Sequence, residues 1–112
     1  MKLLKFKPKS EHGGNRITIK KTSLGLNKID SIQFLELRKD LKEPQHTNKI
    51  GSVACIVIDG WMEAEVNRKR FRLEKNQGIL FEPGEKHRIV KGEGQMISIS
   101  SNDYDSLGTV FE

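Results

Sequence analysis

Few residue types are as scarce in this chain as the ones that usually announce a function. Its 112 residues include one cysteine, three prolines, three histidines, one tryptophan and one tyrosine. A lone cysteine, Cys55, excludes an internal disulfide framework and a cysteine-rich zinc site. No apolar run approaches the length that crosses a bilayer as a helix, so no membrane partner is expected. The opening stretch MKLLKFKPKS is broken by lysine at every second or third position and lacks the apolar block of a secretory signal. A cytoplasmic protein is the simplest expectation. No recognition helix, aromatic RNA-binding box or zinc finger is present, so nucleic acid is not expected as a partner either.

What is there is charge and alternation. Charged residues make up 31% of the chain and hydrophobic residues 35%, a balance that fits a soluble globular protein. The net charge of +5 is uneven: residues 1–49 hold 12 Lys and Arg against 5 Asp and Glu, and residues 50–112 hold 8 against 10. A solvated lysine-rich surface accounts for this, and a phosphorylated small molecule would also be drawn to it.

The hydrophobic period is close to two nearly everywhere. RITIK (16–20), DSIQFLELR (30–38), WMEAEV (61–66), KRFRL (69–73), GILFE (78–82), HRIVK (87–91) and QMISIS (95–100) read as strands. SVACIVID (52–59) reads as a strand buried on both faces. Gly13-Gly14, Asp59-Gly60, Asn67-Arg68, Asn76-Gln77-Gly78, Pro83-Gly84 and Gly92-Glu93-Gly94 supply turns between them. Eight or so short strands at this spacing predict an all-β sandwich or barrel. The length fits a single domain over 1–112, with the barrel at about 15–101 and residues 1–14 as an N-terminal strand or arm. A short helical turn is expected over 38–43, limited by Pro44.

One stretch carries more than fold. In GILFEPGEKHRIV (78–90) a Pro-Gly turn sits three residues ahead of His87, at the start of an apolar run. Upstream, His46 and Asn48 stand at i and i+2, on one face of any strand they share. Together, residues 46–91 resemble the cupin superfamily, small jelly-roll β-barrels whose first motif runs His-x-His, Glu, Gly and whose second runs Gly…Pro-x-Gly-x-x-His. Gly60 matches the glycine that closes the first motif. His46 matches its first histidine, Asn48 falls on the second and Val53 on the glutamate. Gly84 and His87 match the second motif, with Pro83 inside the turn. The resemblance implies a single-domain cupin jelly-roll β-barrel with His46 and His87 aimed into one cavity.

A cupin metal site needs three imidazoles and a carboxylate. Here Asn48 and Val53 replace two of the four, so no cofactor is expected, and His46, Asn48 and His87 would make at most a weak divalent-metal site. A narrower likeness is to metal-independent ketoisomerases of nucleotide-linked sugars, whose signature has Arg-Gly-x-His-Ala-His-Lys, Gly-aliphatic-aromatic-Ile-Pro-Pro and a C-terminal Tyr-Asp. PQHTNK (44–49), GILFEPG (78–84) and NDYDS (102–106) stand in those places, without the Arg-Gly pair and with Asn48 for a histidine.

The resemblance implies a small polar ligand, carbohydrate or sugar-nucleotide-like, with His46 as acid and base. Imidazole is suited to proton transfer beside a carbonyl near neutral pH. His87, Asn48, Glu36 and Cys55 are the expected ligand-binding residues. Three readings remain open: a sugar isomerase, a non-catalytic binding or sensory cupin, and a metal-dependent oxygenase or isomerase. Trp61 would stack on a sugar or cover a subunit interface. His12 reads as a surface residue. A homodimer is expected, with KLLKFK (2–7) pairing across its interface.

Overall fold

The computed structural model describes residues 1–112. Ten strands and one short helix follow in order: β1 (Lys2–Lys5), β2 (Lys9–Glu11), β3 (Gly14–Arg16), α1 (Lys21–Leu24), β4 (Ser31–Leu37), β5 (His46–Asn48), β6 (Val53–Val66), β7 (Lys69–Glu74), β8 (Gln77–Phe81), β9 (Lys86–Ser100) and β10 (Thr109–Phe111). No helix is long and apolar enough to cross a membrane.

Two long strands build the barrel. All the pairings of β6 and β9 are antiparallel, and each long strand shares its two halves between different neighbours. Val53–Ile56 of β6 pair with β8, while Trp61–Val66 pair with β7. Gly94–Ser100 of β9 pair with β4, while Lys86 and His87 pair with β5. One layer is therefore β1-β8-β6-β9-β4 and the other β7-β6-β9-β5-β10.

The sequence pattern split each long strand in two at its glycines. Asp59-Gly60 and Gly92-Glu93-Gly94 are not hairpin turns: they are the corners where continuous strands bend from one layer to the other. The register slips between Val57 and Asp59 and again between Glu63 and Ala64, as β-bulges do at such corners. Gly60 has φ +80°, and a Cβ placed there would meet the Glu93 carbonyl oxygen. Only glycine allows the two backbones to cross so closely.

Alternation inside each strand sorts its side chains. Val53, Cys55, Val57, Met62, Ala64, Ile79, Phe81, Ile89 and Met96 meet in the barrel interior. Ala54, Ile56, Leu80 and Ile99 face the other way, where Leu24 and Leu26 cover them. Leu24 lies in the single turn of α1, which ends at Gly25 with φ +76°.

Several local expectations need correction. Residues 17–20 are not strand, because Ile17 and Ile19 have no partner strand beside them and the chain turns into α1. Residues 38–43 hold no helix, and the one α-helical turn lies at 21–24 instead. The barrel does not stop at 101: β10 returns to pair with β5, Phe111 opposite His46. β1 pairs with β8 of its own chain, Lys2 opposite Leu80.

Candidate functional site

The turn that opens the second motif is pinned where its sequence suggests. Pro83 and Gly84 occupy its centre, and Gly84 has φ +84°, the proline–glycine signature of a type II turn. The Glu85 N–H donates to the Glu82 carbonyl at 3.3 Å, and the Gly84 N–H donates to the Asn48 carbonyl at 2.9 Å. The turn is thus stitched to β5, and β9 leaves it with His87 directly opposite His46.

The two imidazoles meet edge to face, their centroids 4.3 Å apart and their planes at 62°. His87 is 3% exposed and lies flat against Phe81, 4.1 Å between centroids and 11° between planes. Phe111 of β10 stands 5.7 Å from the His46 ring on the other side.

Each histidine has one nitrogen committed. His46 Nδ1 is 2.9 Å from the Pro44 carbonyl, and His87 Nδ1 is 2.9 Å from the Glu85 carbonyl. A carbonyl only accepts, so both rings carry a proton on Nδ1. When neutral, each presents a bare lone pair on Nε2. Neither Nε2 has a protein partner, and neither is sealed from solvent. Burial pushes the His87 imidazolium down to about 4, so that ring is neutral near pH 7.

His46, Asn48, Cys55 and His87 all line one cavity of about 490 Å³ inside the barrel. Asn48 is buried, and its side-chain carbonyl accepts the Thr109 hydroxyl at 2.8 Å. Cys55 is buried, and desolvation pushes its thiol up to about 12, so it stays protonated. Ser98 and Tyr104 share a 2.6 Å hydrogen bond on the same wall.

Glu36 does not belong to this group. It is exposed on β4, in step with Phe34, and borders an open groove with Arg38, Asp40 and Asp59. Leu35 and Leu37 take the inward positions, and alternation then forces Glu36 out. Trp61 is covered by Arg72, whose guanidinium carbon lies 4.3 Å from the ring centroid. His12 sits exposed at the β2–β3 turn with φ 51°.

Glu43 carries no signal in the sequence pattern, whereas Tyr104 stands in the NDYDS match. Glu43 is the one formally charged side chain in the lining. Its Oε1 accepts the Ile89 N–H at 3.2 Å and lies 3.8 Å from His46 Nδ1. Burial holds this carboxyl above the ordinary carboxylate range. Tyr104 sits in a single 3-10 turn, Tyr104–Ser106, and its hydroxyl reaches Ser98. Glu43 lies in an irregular segment ahead of β5, where no periodicity marks a side chain as inward.

The donors do not suit a divalent metal. No three His, Cys, Asp or Glu side chains converge on one point. Asn48 spends its carbonyl oxygen on Thr109, Cys55 is not a thiolate and Val53 has no donor atom. Two imidazole nitrogens remain, and the one carboxylate of the lining, Glu43, lies 3.8 Å from His46 Nδ1, the nitrogen already held by the Pro44 carbonyl.

No protein-family model and no curated protein sequence matches the chain. Solved structures do. A 3,4-ketoisomerase from Helicobacter canadensis superposes with a TM-score of 0.81 at 19% identity, over 99% of this chain and 90% of that one. The WlaRB TDP-quinovose 3,4-ketoisomerase from Campylobacter jejuni gives 0.86 at 12% identity, over 99% and 92%. A histidine-to-asparagine variant of the 3,4-ketoisomerase QdtA from Thermoanaerobacterium thermosaccharolyticum, in complex with TDP-4-keto-6-deoxyglucose, gives 0.75 at 17% identity, over 97% and 85%. The fold is that of a small cupin. At these identities the likeness extends to the barrel and its strand order, and the chemistry must be argued from the cavity.

Proposed function

We propose that the chain binds a keto-sugar, carried as a sugar nucleotide, in the barrel and moves a proton at the carbon beside its carbonyl, as a metal-independent 3,4-ketoisomerase. The observation that carries this reading is the His46–His87 pair, with both Nδ1 atoms tied to backbone carbonyls and both rings lining one cavity. A base for a carbon acid needs a fixed tautomer and a poised lone pair, and His46 has both. The solved structures with this fold include enzymes of that reaction class.

The roles follow from position. His46 Nε2 takes the proton from the carbon beside the carbonyl; the C–H bond breaks, its electron pair forms an enediolate, and His46 becomes an imidazolium. Returning that proton to the neighbouring carbon, with an oxygen-bound proton moved between the two oxygens, transfers the carbonyl by one position. His87 stays neutral and accepts a hydrogen bond from a sugar hydroxyl through Nε2. Ser98 and Tyr104 offer hydroxyls in the same cavity. No lysine or arginine lines the cavity, so the sugar lies inside and the diphosphate at the mouth.

A second reading has its own observation. Asn48 stands where the ketoisomerase signature has a histidine, and its amide is held by Thr109 rather than free to carry protons. A QdtA variant with asparagine for histidine was captured with its keto-sugar bound. With Asn48 in place of a second proton-carrying ring, this barrel would bind without turning over. Incubating the protein with TDP-4-keto-6-deoxyglucose and following the carbonyl carbon by ¹³C NMR separates the two. Migration of the carbonyl from C4 to C3 supports the isomerase; saturable binding without migration supports the binding module.

We also propose a homodimer. β4 is an edge strand whose outer face shows Ile32 at 53% and Phe34 at 77% exposure, an apolar pair beside unpaired backbone. Sedimentation equilibrium is expected to give twice the chain mass, and a Phe34→Asp variant the chain mass itself. A monomer for the unaltered protein overturns this.

A further inference from the structure

The cavity lining holds one carboxyl side chain, and it lies against the proposed base. Glu43 reaches in from the segment before β5. Its Oε1 takes the Ile89 N–H of β9 at 3.2 Å, which fixes the carboxylate against the barrel wall. That same oxygen is 3.8 Å from His46 Nδ1, on the side of the ring away from the free Nε2. The Nδ1 proton already points at the Pro44 carbonyl, 2.9 Å away. The imidazole edge therefore faces two oxygens, one neutral and one ionisable, before any ligand arrives.

We propose that Glu43 is the positioning and charge partner of His46. The carboxylate holds the Nδ1 edge of the ring and stabilises the imidazolium formed when Nε2 accepts a proton. This rests on the proton-transfer reading of His46, yet it can be tested without a substrate.

The interaction between the two side chains is Coulombic. A proton gained at Nε2 spreads its charge over the ring, and a carboxylate a few ångströms from the far nitrogen lowers the energy of that state. The surroundings offer little competition. Among the other titratable groups, His87 of β9 is a neutral ring, Cys55 a protonated thiol and Tyr104 a hydroxyl bonded to Ser98. Glu112 pairs with Lys86 outside the cavity lining, 2.9 Å from its ammonium. No cation stands in the lining to screen Glu43 from His46. The cupin carboxylate position, by contrast, is occupied by Val53, so Glu43 brings an acidic group into the barrel from a different part of the chain.

The test is a ¹H–¹³C NMR titration of the His46 ring in the unaltered protein, in Glu43→Gln and in Glu43→Asp. Glu43→Gln keeps the acceptor for the Ile89 N–H but removes the charge. The His46 titration is expected to move to lower pH in Glu43→Gln and to be largely restored in Glu43→Asp. The exposed His12 supplies the control signal and is expected to stay in place. A purely structural role would lower the melting temperature and leave the His46 titration where it was, and that result would overturn the proposal. If Glu43→Gln does not fold, the reciprocal measurement serves: in His46→Ala the ¹³C carboxyl titration of Glu43 is expected to move to higher pH. An unmoved Glu43 titration there would equally reject the pairing. Loss of isomerase activity in the unaltered protein would count against the functional reading and leave this coupling standing.

Discussion

His46 of β5 and His87 of β9 face each other across one rung of the ladder, and their rings meet edge to face at 4.3 Å. A His-x-His motif places two imidazoles on one strand, two residues apart. Here Asn48 occupies the second of those places, and a neighbouring strand supplies the second ring. The result is a two-imidazole cavity wall assembled by strand pairing rather than by spacing within one strand. The Gly84 N–H bond to the Asn48 carbonyl holds that pairing in register.

Burial of His87 makes stability depend on pH. Its imidazolium is pushed down to about 4 in the fold, against an ordinary value near ~6.5 in the unfolded chain. Between those values the unfolded state binds the proton and the folded state does not, so stability falls as pH falls from 6.5 towards 4. The full difference is at most about 3 kcal/mol. Chemical denaturation of the unaltered protein and of His87→Phe across that window checks it. The gap between them is expected to shift in favour of the variant as pH drops. Raising of the Glu43 carboxyl by burial acts in the opposite direction in both proteins and cancels in the comparison.

The strand corner at Gly60 is expected to tolerate no side chain. Gly60→Ala combines a left-handed backbone with a Cβ driven into the Glu93 carbonyl. A loss of at least about 2 kcal/mol is expected in urea unfolding. Gly84→Ala is a useful contrast: its φ is also positive, yet no atom lies within 4 Å of the added carbon. Its loss is expected to be smaller, about 1 kcal/mol. Equal losses would show that backbone strain alone, and not the crossing, sets the cost at Gly60.

Cys55 is expected to be inert in the folded protein. Its thiol is buried and pushed up to about 12, so almost no thiolate exists at pH 8. Iodoacetamide at pH 8 is expected to label the urea-unfolded chain readily and the native protein slowly. Rapid native labelling would place Cys55 at an open, thiolate-stabilising position and reopen it as a metal donor.

Much of the fold was legible because period-two alternation is a direct image of a sheet with two faces. Val53, Cys55 and Val57 point inward and Ala54 and Ile56 outward, as that period requires. The pairing of His46 with His87 was legible through the Pro83-Gly84 turn. What escaped was decided by contacts distant in sequence. Gly60 and Gly94 look like hairpin glycines, and only their mutual crossing reveals two long bent strands. β10 is three residues long and finds its meaning in β5, some sixty positions earlier. Glu36 has apolar neighbours, which leaves an inward position open in the sequence, but Ile32 and Phe34 on its own face are themselves exposed. Glu43 lies outside any periodic segment, and its inward direction comes from the Ile89 N–H on another strand.

The central claim is that His46 moves a carbon-bound proton inside this barrel. The most direct measurement is ¹H NMR of TDP-4-keto-6-deoxyglucose in D₂O with the unaltered protein and with His46→Ala. The account predicts loss of the H3 signal as deuterium enters beside the carbonyl, slowed at least about 100-fold in His46→Ala while the variant stays folded. A persistent H3 signal with the unaltered protein, or exchange at the same rate without the His46 imidazole, would contradict it.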